Sequence, residues 1–343
     1  MSVQHSTETL HQMSDRANPI SATVPFDEDG VHHGFLTLPW SRDDSAWGAL
    51  RIPLTVIRNG TGPTALITGG NHGDEYEGPL AVSEFANSAK PSLISGRVIC
   101  VPFMNYPAFQ AGKRTSPIDG GNMNRLFPGR ADGSVSEKIA HYFQTILLPM
   151  ADCVLDFHSG GKTLDFLPFA ASHVLDNEEQ QARCAAARDA FGAPYSLLMR
   201  EIDSAGMYDD AAEAAGKTFV TTELCGGGTA TPKSIAIARR GLRNFLIHCE
   251  ILAGAVEPSK VRILVQPDQS CFHFAPDAGL LEPAKSLGDT VQKGDIVARI
   301  WSTTHTGRPP FDITANRNGL LIARHFPGLV QPGDCLAVLA VDA

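Results

Sequence analysis

The feature that most limits the folds open to this chain is a change of rhythm near Glu257-Pro258. Before it, short apolar runs alternate with stretches of helical spacing. GFLTLPW, ALRIPLTVI, TALITGG and RVICVPFM read as strands. Between the last two, GPLAVSEFANSAK puts Leu80, Phe85 and Ala89 at positions that suit a helix. SEKIAHYFQTILLPM, with Ile139, Phe143, Ile146 and Leu147, predicts a second, amphipathic one. ADCVLDFHS reads as a buried strand, NEEQQARCAAARDAF as a helix, and the β-branched TFVTTEL as a strand. A long helix follows, with Ser234 as its N-cap and Ile235, Ala238, Leu242, Phe245, Cys249 and Leu252 on one stripe. Strands alternating with helices imply an α/β fold with a largely parallel or mixed central sheet flanked by helices.

From Lys260 to Ala343 the helical spacing stops. VRILVQP, CFHFAP, DIVARIW, GLLIARH and CLAVLAV are short strands separated by Gly and Pro, which predicts an all-β domain of about eighty residues. The expected organisation is a flexible arm over residues 1–20, an α/β domain over 21–258 and a β domain over 259–343. SLGDTVQKGDIVARI resembles the turn-strand signature of lipoyl- and biotinyl-type β-sandwiches. The modifiable lysine between methionines is missing, so a packing or gating module is expected rather than a carrier.

Composition excludes several classes. With 43% apolar and 19% charged residues the chain is not intrinsically disordered. Its net charge of −9 opposes non-specific nucleic-acid binding, which requires basic surface. No apolar run approaches the ~18–20 residues that span a bilayer, and MSVQHSTETLHQMSDR is too polar for a signal peptide. Seven scattered cysteines without a CxxC read as reduced small hydrophobes, and a cytoplasmic location is the expectation.

Four clusters could carry chemistry. In GGNHGDEYEG an apolar strand runs into glycines and then presents His72 and Glu75 three residues apart. An imidazole and a carboxylate at that spacing can meet one cation, although a solvated loop would also contain them. In LDFHSGG, His158 directly follows an apolar strand. Open α/β sheets bind ligands beyond the carboxyl ends of their strands, where both histidines should lie. Two histidines and a carboxylate are a usual catalytic zinc set. Asp156 either orients a ligand or is simply a strand-end charge. In TTELCGGG, Glu223 ends a strand and faces three glycines, either at an exposed sheet edge or held in the cleft as a general base and acid. Finally QAGKRTSPIDGGNMNRLFPG is a long loop in which Arg114, Asn124 and Arg125 could recognise an anion.

Taken together and in this order, these clusters resemble the succinylglutamate desuccinylase/aspartoacylase family, relatives of the zinc carboxypeptidases. The resemblance covers roughly residues 45 to 255, and the β tail fits the family's habit of appending a β domain, here of barrel-sandwich type. It implies a zinc-carboxypeptidase-like fold with one Zn2+ per subunit held by His72, Glu75 and His158. Glu223 would be the catalytic base and acid. Asn124 and Arg125 would bind the substrate α-carboxylate, and Arg114 would help polarise the scissile carbonyl. One departure is Asn122, where the family often has Asp at the head of the DxNR motif. Within the family, the DGVHHGFLTLPWSRDDSAWG leader, GGNMNRLFPG and TELCGGG resemble the branch that deacetylates N-α-acetyl-L-2,4-diaminobutyrate in ectoine degradation. Asp119, Asp203, Asp209 and Asp210, near expected loops, are compatible with a cationic substrate.

The expectation is therefore a zinc-dependent amidohydrolase acting on a small N-acyl amino acid, with no nucleic-acid or membrane partner and with homo-oligomerisation left open. Two alternatives share parts of the pattern: a metallocarboxypeptidase on peptide C-termini, and a non-catalytic binding protein that works through its β tail. A cysteine hydrolase built on Cys225 or Cys153 is disfavoured, since apolar strand surroundings raise a thiol pKa.

Overall fold

The computed structural model describes residues 18–199 and 205–343. The arm expected over residues 1–20 falls outside the described residues up to position 17, as does Asp203. Among the described residues, fifteen strands form one large mixed sheet and four form a second, antiparallel one.

The centre of the large sheet sets up the site. Strands β4 (Thr64–Thr68), β6 (Cys153–Asp156) and β10 (Thr218–Glu223) lie side by side and parallel, with Thr68 opposite Asp156 and Asp156 opposite Thr221. Their carboxyl ends therefore point to one edge. β4 and β6 are buried along their whole length, which is why both read as apolar runs without polar alternation. β5 (Gly96–Val101) is parallel to β4, whereas β3 (Ala49–Asn59) is antiparallel to β5 and β2 (Gly30–Pro39) to β3. On the other flank β8 (Phe169–His173) is antiparallel to β10, and β9 (Tyr195–Met199) is parallel to β8.

Alternation along each strand divides the core between two faces. Ala65 and Ile67 join Phe85, Phe191 and Phe245 beneath the helices Glu77–Ser88, Glu178–Phe191 and Pro232–His248. Leu66 points the other way, into a cluster with Leu36, Ile52, Ile139, Phe143, Leu147 and Tyr208. Hydrogen bonding then continues from β9 into Arg262–Val265, from there into Cys335–Asp342, and on to Gly319–His325. Val297, Ile300, Leu321 and Leu339 form a further cluster between the C-terminal strands.

Three local expectations need correction. Ser234 is not the cap of the Pro232–His248 helix. Thr231 is, and Ser234 is its reciprocal partner in a capping box. Leu80 does not share the buried face of its helix. It is 45% exposed, and Ala81, Val82, Phe85 and Ala86 face the core instead. The run from Ile139 to Leu147 is not one regular helix either, because it passes through a wider π turn over Phe143–Leu147. That turn keeps Ile139, Phe143 and Leu147 all buried. No disulfide joins any of the seven cysteines.

Candidate active site

β4 ends at Thr68 and the chain turns through Gly69 and Gly70 before reaching His72 and Glu75 ahead of the Glu77–Ser88 helix. Gly73 separates them because nothing larger fits: a Cβ there would lie 2.0 Å from the backbone carbon of Ala108. β6 ends at Asp156 and delivers His158 two residues later. The loop after Glu223 packs against the loop after His158, with Gly160 N donating to Cys225 O (2.9 Å) and Leu224 N to His158 O (3.1 Å). Gly226 allows that approach, since a Cβ would sit 2.0 Å from Leu164 O.

The structure brings His72, Glu75 and His158 together, with one ligand atom from each within 4.8 Å of the others. Glu75 lies between the rings: Oε1 is 2.8 Å from His72 Nδ1 and Oε2 is 3.0 Å from His158 Nδ1. Each ring is held from behind. His158 Nε2 donates to Asp156 Oδ2 (2.8 Å), and His72 Nε2 to Asn122 Oδ1 (3.1 Å). Asp156 is itself fixed by Thr68 Oγ1 (2.6 Å) and Asn71 Nδ2 (3.0 Å). Its orienting contact with His158 thus distinguishes it from a plain strand-end charge. Imidazoles that ligate metals generally donate their second nitrogen to such an oxygen.

The electrostatics follow from this packing. Burial holds the His72 imidazole below its ordinary pKa against the pull of Glu75. For Glu75, burial pushes the carboxyl up, but the two imidazoles outweigh it and keep the group well below the usual carboxylate range. His158 is moved well above its ordinary value, because Asp156 and Glu75 outweigh the effect of burial. With Asn122 accepting from Nε2, a neutral His72 ring turns its Nδ1 lone pair toward the Glu75 carboxylate. Lone pairs converging in a buried space fit a cation between them. The donor set thus suits a divalent metal, with the two Nδ1 atoms and Glu75 as ligands.

Arg114, Asn124, Arg125, His72, His158 and Glu223 line one cavity of about 380 Å3. Arg114 Nη1 lies 3.3 Å from His72 Nδ1 and 3.6 Å from Glu75 Oε1. Asn124 Oδ1 accepts from Tyr208 N (2.9 Å), and Arg125 Nη1 donates to Asn124 O (2.6 Å). The far walls are apolar and come from both parts of the chain, with Phe166, Phe169 and Phe219 meeting Phe272, Phe274 and Val338. Asp209 lines this cavity too, whereas Asp119 is spent on Ser136, whose backbone N it accepts at 2.7 Å. Cys225 is not in a strand but in the turn beyond β10, with φ 68°, and burial followed by the nearby Glu77 pushes its thiol up to about 11. Cys153 sits in β6, its thiol held well above the usual range by its contact with Cys249 and by burial.

The model of the succinylglutamate desuccinylase/aspartoacylase catalytic domain matches residues 61–249. The chain belongs to this family. It is 54% identical over 327 residues to the N-alpha-acetyl-L-2,4-diaminobutyric acid deacetylase of Halomonas elongata, covering 95% of this chain and 96% of that one. Among solved structures, it resembles the product-bound ectoine utilization protein EutE (DoeB) of Ruegeria pomeroyi, with a TM-score of 0.93 and 60% identity over 95% of this chain and 100% of that chain. A succinylglutamate desuccinylase from Silicibacter sp. TM1040 also has a TM-score of 0.93, at 58% identity over 96% of this chain and 100% of its own. The fold is accordingly that of the family, with its zinc-carboxypeptidase-like mixed sheet and added C-terminal β structure. None of the described helices is long and apolar enough to cross a membrane.

Several contributors went unnoticed in the sequence. Asn71 and Thr68 flank a recognised motif, but only the fold turns them toward Asp156. His173, at the end of β8, and Glu213 are far apart in the chain and carry no local signal. The strands β7 (Leu164–Phe166), β8 and β9 that wall the cavity were not distinguished as such. Alanines and a proline dilute their pattern.

Proposed function

We propose that this chain is a zinc-dependent deacetylase that hydrolyses the amide of N-α-acetyl-L-2,4-diaminobutyrate to acetate and L-2,4-diaminobutyrate. The observation that carries this reading is the meeting of His72, Glu75 and His158 in a cavity that Glu223 also lines. Identity to the Halomonas deacetylase over nearly the whole chain supports the substrate. When bound by His72, Glu75 and His158, zinc would act as a Lewis acid and make water a competent nucleophile at neutral pH. Glu223 takes the proton of the attacking water and returns it to the departing amine nitrogen. Arg125 and the Asn124 amide hold the α-carboxylate, a role suited to a guanidinium fork. Arg114, beside His72 and Glu75, faces the carbonyl oxygen as it becomes an oxyanion. A cavity of about 380 Å3, walled in part by the C-terminal strands, supports a small N-acyl amino acid over a peptide by its size.

The test combines metal analysis of the purified protein with a panel of N-acetyl and N-succinyl amino acids and C-terminal peptides. Stoichiometric zinc and highest kcat/KM on N-α-acetyl-L-2,4-diaminobutyrate are expected. Glu223→Gln should keep the zinc and lose at least about 10²-fold in kcat. Full activity without metal, or a variant retaining more than about a tenth of wild-type turnover, would refute the assignment.

A further inference from the structure

The reaction proposed above employs the three metal ligands, Glu223, Arg114, Asn124 and Arg125, and assigns no partner to the substrate's 4-ammonium. The far wall of the cavity offers one. Hydrogen bonding passes from β10 through β8, β9, Arg262–Val265, Cys335–Asp342 and Gly319–His325 to β7. Leu164 O of β7 then accepts from Gly227 N (3.1 Å), just beyond β10, so these segments surround the cavity. Gln266 directly follows Arg262–Val265. Side chains two residues apart share a face of a strand, and Leu264 packs inward in a cluster with Phe169, Leu197 and Val338. Gln266 continues that face and lines the cavity, although it is only 7% exposed.

Gln266 Oε1 accepts no hydrogen bond from any described residue. The register that sets Val265 opposite Leu198 and Val341 carries Gln266 between Met199 and Ala340, and neither side chain has a donor to offer. Leaving a buried amide unmet costs free energy, which a ligand with a complementary group recovers. Other acceptors on the wall are engaged: Asp156 with Thr68, Asn71 and His158, Asn124 Oδ1 with Tyr208 N, and Asp209 with His173 at 3.7 Å. A half turn about the last side-chain bond exchanges the oxygen and NH2 of an amide within the same space, so Gln266 can turn its oxygen to a donor in the cavity. The size agrees. A compact space of about 380 Å3 is about 9 Å across. An extended diaminobutyrate places its 4-nitrogen about 6 Å from the scissile carbonyl carbon, and a hydrogen bond adds about 3 Å.

We propose that Gln266 is a specificity residue for the substrate's side chain, its Oε1 accepting a hydrogen bond from the 4-ammonium while Arg125 holds the α-carboxylate. The proposal rests on the deacetylase reading and places the selecting group in the C-terminal part of the chain. The experiment compares zinc-loaded wild type, Gln266→Met and Gln266→Glu on N-α-acetyl-L-2,4-diaminobutyrate and on N-acetyl-L-2-aminobutyrate, which lacks the ammonium. Met keeps the length of the side chain and removes the amide. KM for the cationic substrate should therefore rise about ten- to a hundredfold in Gln266→Met, with kcat and the neutral substrate changed by less than about threefold. Gln266→Glu keeps an acceptor and adds charge, so its KM for the cationic substrate should stay within about threefold of wild type or fall below it. A folded Gln266→Met protein that keeps the wild-type preference, or loses both substrates equally, overturns the proposal. A larger rise in KM for the cationic substrate in Gln266→Glu overturns it too, because the amide would then donate rather than accept. Wild type inactive on N-α-acetyl-L-2,4-diaminobutyrate would instead defeat the deacetylase reading, and this inference with it. Should Gln266→Met not fold, Gln266→Leu takes its place in the same comparison.

Discussion

Replacing Asp156 by Asn isolates how far a residue that need not touch the metal controls its binding. The carboxylate is 1% exposed and accepts from Thr68 Oγ1, Asn71 Nδ2 and His158 Nε2 at 2.6, 3.0 and 2.8 Å. Asn can keep its oxygen toward Asn71 and His158 and turn its amide toward Thr68, whose hydroxyl has Leu155 O as another acceptor at 3.4 Å. The hydrogen-bond framework therefore survives, and the change removes chiefly the charge behind His158. Loss of such an outer partner typically weakens metal affinity by about 10- to 100-fold, or about 1.4–2.8 kcal/mol. The assay is competition for zinc with a chromogenic chelator, accompanied by thermal melts of loaded and stripped protein. A folded Asp156→Asn protein with zinc affinity within about twofold of wild type would refute the reasoning, and would reduce the Asp156–His158 contact to packing.

Two further outcomes follow from the same geometry. Asn122→Ala removes the acceptor that sets the His72 tautomer, so zinc affinity should fall about tenfold, and Asn122→Asp should restore it, as read by the same competition. An Ala variant with unchanged affinity would show that the ring needs no such partner. The Cys225 thiol, pushed up to about 11, is about one part in ten thousand thiolate at pH 7. Iodoacetamide at pH 7 should leave activity intact, and labelling of Cys225 should accelerate about tenfold per pH unit between pH 8 and 10. Rapid stoichiometric inactivation at neutral pH would bring back a thiol mechanism.

What could be read along the chain was local. TALIT, CVLD and TFVTTE announce themselves because strands buried in a parallel sheet need apolar or β-branched side chains on both faces. His72 and Glu75 could be paired because only three residues separate them. The phase of the Glu77–Ser88 helix was harder, since Leu80 and Ala81 are both apolar and only packing against the Pro232–His248 helix decides which is buried. The cap of that second helix was ambiguous for a similar reason: Thr231 and Ser234 both offer hydroxyls, and in the capping box each bonds to the other's backbone.

By itself, then, the sequence settled the alternation of elements, the loops rich in glycine and the family, all properties of short windows where periodicity and turn chemistry operate. The tertiary structure decided which windows meet. The parallel register of Thr68 with Asp156 carries His158 to Glu75 across 83 residues, and β10 beside β6 brings Glu223 to the same edge. It also set Asp209 into the cavity wall, with His173 3.7 Å from its carboxylate, and brought Phe272 and Val338 of the C-terminal part to the same cavity. Hydrogen bonds between strands carry no local imprint of their partner, so such contacts follow from the burial of the whole sheet rather than from any segment of it.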